Sequence, residues 1–157
     1  MHLVLLPLFP LLGVAIWVLL RHDKTAVGWG GRVAAITYAA FYGGLDAVSG
    51  IAAGTVVQAG ADPKSELVTS LFAAGRPLGM IGAYALFVAV VLVLASAWRS
   101  GVRGWLFFAA AGLALLSVYL FTVGHVYWPR GVVAMLGLAA AFAVLELLRR
   151  EKALPVR

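Results

Sequence analysis

Apolar residues in this chain run in long uninterrupted blocks, and short polar or basic stretches separate one block from the next. Five blocks stand out, at residues 3–20, 33–57, 78–98, 105–127 and 131–148. Each approaches or exceeds the roughly 20 residues that a helix needs to cross about 30 Å of hydrocarbon. The pattern predicts an all-α integral membrane bundle of five transmembrane helices, forming a single transmembrane domain over residues 1–157.

Local signals refine these segments. Pro7 and Pro10 fall in or near the first turns of segment one, where a missing N–H donor costs least. Asp62 followed by Pro63 reads as an N-cap with proline at the first helical position. Beyond it, Leu67, Val68, Leu71 and Phe72 lie opposite Lys64, Ser65 and Thr69, which predicts a short interfacial helix over residues 63–75, before the third span. Arg76 and Pro77 then interrupt the pattern. The stretch 127–131 is too short for a loop domain, so segments four and five form a tight antiparallel hairpin. Gly28, Trp29, Gly30 and Gly31 lack the ending of a phosphate-binding loop and read as a flexible or membrane-skimming turn.

Composition strengthens the membrane reading. The chain is 64% hydrophobic and 11% charged, with a mean hydropathy of +1.03, against about 45–50% apolar usage in soluble domains. The net charge of +6 raises the question of nucleic acid. The cations, however, sit in short clusters between apolar blocks and not along one face, so no nucleic-acid partner is expected. Arg21, Lys24, Arg32, Arg99, Arg103, Arg149, Arg150, Lys152 and Arg157 fall on one side of the five spans, and Lys64, Arg76 and Arg130 on the other. That bias predicts an outside amino terminus and a cytoplasmic carboxy terminus.

Only Met1 and His2 precede the first block, unlike the basic start of a secretory signal, so this segment is expected to stay attached. Without cysteine there are no disulfides, thiolate ligands or thiol nucleophiles. Nine arginines against three lysines, with abundant alanine, glycine, valine and leucine, point to GC-rich bacterial coding and hence to the bacterial cytoplasmic membrane.

Candidate chemistry centres on Asp46, near the middle of segment two. A carboxylate at the centre of a membrane helix costs about 2.5–3.5 kcal/mol on insertion scales, so a partner, a proton or a cavity must offset it. Helical spacing puts Tyr42 and Gly43 one turn before it, and Ser49 and Gly50 one turn after. Gly50 and Gly54 form a GxxxG, and this small-residue face predicts close helix packing at Gly43, Gly50 and Gly54. Asp46 then faces the protein interior, either as a buried polar staple or as an ion, proton or ligand site.

Arg76 has two alternative depths. It is an interfacial anchor if the third span starts at Leu78, and nearly level with Asp46 if residues 63–98 form one kinked helix. His125, near the outer end of segment four, completes the ligand- or ion-binding candidates Asp46, Arg76, Tyr42, Ser49 and His125. His2 falls on the same side but has no supporting ligand motif, so no metal and no cofactor is expected. Glu146 precedes Arg149 and Arg150 at spacings that favour helical ion pairs, a structural role.

Residues 41–54, FYGGLDAVSGIAAG, with residues 125–131, HVYWPRG, resemble small multi-pass membrane proteins of high-GC bacteria that carry no assigned activity. In those proteins an aspartate follows an aromatic residue in the second span, and a proline and glycine introduce the last one. The resemblance implies the same span count and a special place for Asp46. It implies no substrate, cofactor or mechanism.

Three functional readings follow. The first is a non-catalytic membrane protein, either an accessory subunit of other membrane proteins or a homo-oligomer, or a binder of a small ligand or lipid. It draws on the lack of catalytic motifs and on the small-residue faces. The second is a proton- or ion-coupled transporter using Asp46. The third is an intramembrane lipid-modifying enzyme with Asp46 or His125 as acid or base. The lipid bilayer is the common partner of all three.

Overall fold

The computed structural model describes residues 6–125 and 127–153, and among these every regular element is helical. Five helices follow one another: α1 (Leu8–Leu19), α2 (Ala26–Gln58), α3 (Glu66–Arg99), α4 (Trp105–Gly124) and α5 (Arg130–Ala153). All but α1 are long and apolar enough to cross a membrane. The 12 residues of α1 reach only about 18 Å. The start of the first predicted span, residues 3–5, lies outside the described residues.

Pro7 occupies the N-cap of α1 and Pro10 its first turn, where no intrahelical donor is required. The chain then reverses quickly into α2. The Asp23 carboxylate accepts hydrogen bonds from the Thr25 backbone N–H at 2.9 Å and hydroxyl at 2.6 Å, ordering the residue that caps α2.

The glycine run does not form a flexible turn, because Gly28–Gly31 lies inside α2. The helix needs small residues there. A Cβ at Gly28 would come within 2.8 Å of the Asp23 side chain, and the Gly31 position is closed off by the Leu20 side chain. α2 therefore begins at Ala26, before the apolar block that starts at Val33.

α2 carries a π-helical stretch at Asp46–Ala52, and α3 is a single helix of 34 residues with Pro77 inside it. The separate interfacial helix is thus absorbed into α3, and the helix starts at Glu66 rather than beside Pro63. Asp62 instead accepts from the Lys64 N–H at 2.8 Å, and the Ser65 N–H donates to the Asp62 carbonyl at 2.9 Å. Pro77 deprives the Ala73 carbonyl of its usual donor, yet packing against α2 carries the helix through. Gly75, Gly79 and Gly82 line the contact: a Cβ at Gly79 would stand 2.8 Å from the Leu45 side chain, and one at Gly82 2.9 Å from the Tyr42 backbone nitrogen.

The α2–α3 pair is long. At 1.5 Å per residue, 33 residues extend about 50 Å, against about 30 Å for the 20 residues of α4. The hairpin therefore projects beyond α4 and α5 at the end opposite Arg99. Its inner part packs through Ile16, Leu20, Tyr38, Leu86, Val90 and Val93, all essentially without exposure. α4 and α5 meet through Ala114, Val118, Ala134, Leu138 and Ala141. The outer surface remains strongly apolar, with Val33, Ile36, Ile81, Tyr84, Phe87, Leu116, Tyr119 and Leu136 exposed.

Arginines bind the basic end together. Arg32, 4% exposed, donates to the carbonyls of Leu20 and, at 3.0 Å, Asp23, while its guanidinium lies 4.9 Å from the Trp29 ring and 5.6 Å from Trp17. Arg149 donates to the Leu19 carbonyl and to that of Val93 at 3.4 Å. The bonds to Leu19 and Leu20 reach carbonyls at the end of α1 that have no donor within the helix. Glu146 pairs with Arg150 at 2.9 Å, as its i+4 spacing suggests, but its other partner is Arg21 at 2.6 Å.

Candidate functional site

Tyr42, Asp46, Ser49, Arg76 and His125 all line one cavity of about 750 Å³. α2 supplies the first three from a single face, and the continuous α3 supplies Arg76 beside Gly75, whose backbone abuts Ser49. Of the two depths open to Arg76, the long helix therefore selects the one beside Asp46. His125 arrives from the end of α4, where it ends the helix with a φ of 48°, a region that residues bearing a Cβ seldom occupy.

An aromatic cluster forms one wall. Tyr42 stacks edge-on with Phe9 at 5.0 Å between ring centroids and lies 4.8 Å from Phe121, with Tyr38 at 5.6 Å. The Tyr42 hydroxyl is 2.5 Å from His125 Nδ1. With the phenol donating, His125 carries its proton on Nε2 and presents Nδ1 as the acceptor. The bond fixes the imidazole across the gap between α2 and α4 and contributes about 1 kcal/mol.

Asp46 is the twenty-first of the 33 residues of α2, and its level against the other helices is set by packing. Because α2 starts at Ala26, Asp46 stands one turn beyond Tyr42, which is itself level with His125 at the far end of α4. Asp46 is buried, 6% exposed, and sits at the start of the π-helical turn. It also interacts within the protein. Its place is the end of the five-helix section, where the α2–α3 hairpin emerges.

The remaining wall divides by chemistry. Phe9, Leu45, Phe72, Met80 and Ala83 give it apolar surface, and Thr69, Thr122 and Tyr127 add hydroxyls. Phe72, Arg76, Met80 and Tyr127 are exposed, so the cavity opens to the surround on their side. The arrangement suits a molecule with an apolar body and a polar group directed at Asp46, Arg76 and His125. No family model, curated protein or solved structure matches the chain.

Reading the sequence missed Phe9, Thr69, Met80 and Thr122, which enter the site only through the packing of other helices. It also left Gly75, Gly79 and Gly82 unassigned, although their i, i+4, i+7 spacing marks one face of a helix. By contrast, Gly54 has open space around its Cβ position and Gly43 meets only the Leu6 side chain, at 3.9 Å. Gly50 lines the cavity. His2 lies outside the described residues.

Proposed function

We propose that this chain is a multi-pass integral membrane protein of the bacterial cytoplasmic membrane, with an outside amino terminus and a cytoplasmic carboxy terminus. In this reading it is non-catalytic and holds a small amphipathic ligand or lipid in its outer cavity, alone or as the accessory subunit of a larger membrane assembly. One observation carries the reading: Tyr42, Asp46 and Ser49 from α2, Arg76 from α3 and His125 from the end of α4 converge on a largely apolar cavity of about 750 Å³. The exposed apolar belt of α2 to α5 supports the membrane setting, since soluble monomers rarely show apolar patches beyond a few hundred Å². The nine-to-three division of cations supports the orientation.

Purification in mild detergent followed by native mass spectrometry tests the proposal. Wild type is expected to retain a bound small molecule or lipid, and Asp46→Asn and Arg76→Gln to retain less of it. A protein that stays bare, and whose thermal stability ignores added lipid extract, would sink it.

The transport alternative draws on Asp46 lining an open cavity at a π-helical turn, a feature frequent at functional sites. Proton or solute flux through proteoliposomes that is unchanged by Asp46→Asn removes that alternative.

A further inference from the structure

A second cavity, of about 730 Å³, opens at the basic end of the bundle, where the α1–α2 turn meets the ends of α3 and α5. Arg21, Lys24, Arg99, Arg149, Arg150 and Lys152 line it against two carboxylates, Asp23 and Glu146. Both carboxylates are already engaged. Asp23 accepts from Thr25, and Glu146 is clamped between Arg21 and Arg150. Lys24 and Lys152 form no hydrogen bond or ion pair among the described residues, and Arg99 acts on Asp23 only through its charge, so six cations facing two carboxylates leave the cavity a surplus of positive charge.

A rule that places cations on one side of a membrane would be met by lysines and arginines anywhere at this end. It does not require them to converge around a concavity, where low-dielectric walls concentrate their field. Arg103 illustrates the difference. It lies at the same end, over the Trp98 ring at 4.6 Å, and does not line the cavity.

We propose that this cavity binds a phosphate-bearing anion, the chemistry shared by an anionic phospholipid headgroup and free inorganic phosphate. Lys24, Arg99 and Lys152 supply the charge. The site is separate from the outer cavity and does not depend on what that cavity holds.

Binding is measured on the full chain in two arms. In one, inorganic phosphate is titrated into detergent-solubilised protein by calorimetry. In the other, the protein is reconstituted into phosphatidylcholine nanodiscs with or without phosphatidylglycerol, and native mass spectrometry counts retained anionic lipid. The K24Q/R99Q/K152Q variant is compared with wild type and with R103Q. Single R99Q and K152Q variants carry the same comparison if the triple variant does not accumulate. Affinity is expected to fall on the order of fivefold for each cavity cation removed, and to stay within about twofold for R103Q.

Loss confined to the lipid arm identifies the headgroup as the ligand, and loss in the phosphate arm shows that the free anion suffices. Either outcome supports the site. No binding in both arms, or equal losses in R103Q and the cavity variants, overturns it.

Discussion

Replacing Arg32 by methionine tests how the basic end is held. Arg32 is 4% exposed, and its guanidinium donates to the carbonyls of Leu20 and Asp23 and lies 4.9 Å from the Trp29 ring. Hydrogen bonds from a charged donor contribute about 1.5–3 kcal/mol each. The stacked contact adds about 1 kcal/mol where water is partly excluded. Against these stands the cost of burying a cation without a carboxylate, several kcal/mol, which disappears in the methionine variant. The two carbonyls would then lose the donor that the arginine supplies, so a net loss of about 2 kcal/mol is expected.

Equilibrium unfolding of micelle-reconstituted protein, driven by increasing dodecyl sulfate fraction and followed by tryptophan fluorescence, reads this difference directly. R103Q is the control, because the exposed Arg103 rests on Trp98 and caps no helix. Its expected loss is below about 1 kcal/mol. Arg32→Met unfolding within about 0.5 kcal/mol of wild type, or no further than R103Q, would refute the assignment of Arg32 as the tie between α1 and α2.

Two further predictions address packing and pH. Gly82→Ala should cost about 1–3 kcal/mol in the same assay, because its Cβ would stand 2.9 Å from the Tyr42 backbone nitrogen, whereas Gly54→Ala, with open space around it, should be neutral or stabilising by up to about 1 kcal/mol. Equal losses at the two positions would contradict the α2–α3 contact as described. Hydrogen bonding from Ser96 and Thr25 lowers the Asp23 carboxyl from 3.8 to about 2. A lowered folded-state value means that the contribution is complete above the unfolded value and disappears as pH falls from 3.8 toward 2. At this partly exposed position it amounts to about 1 kcal/mol or less after screening. Asp23→Asn should therefore be less stable than wild type at neutral pH and equal to it near the lower limit, and a constant gap across that range would remove Asp23 from this role.

The helical class, the long apolar elements and the identity of the polar candidates were legible in the chain itself. Runs of apolar residues report helices directly, and a carboxylate or histidine among them is conspicuous because desolvation makes it costly. The placing of Pro7 and Pro10 at the start of α1 was equally local, since the missing donors matter only where the next turn needs them.

Tertiary structure decided what depended on partners far away in sequence. Residues 26–32 hold too many glycines and a cation to read as part of an apolar block. They are helical because Arg32 finds its acceptors on the turn after α1, and because Gly28 and Gly31 let that turn close against them. With that extension, Asp46 stands one turn beyond the level where α4 ends. In the same way Pro77 reads locally as a break, and glycines packed on α2 carry α3 through it. Apolar blocks determine which residues become helix and which polar groups must be accommodated. The relative height of those helices, and so the meeting of Asp46, Arg76 and His125 around one cavity, follows from contacts between segments that no local pattern encodes.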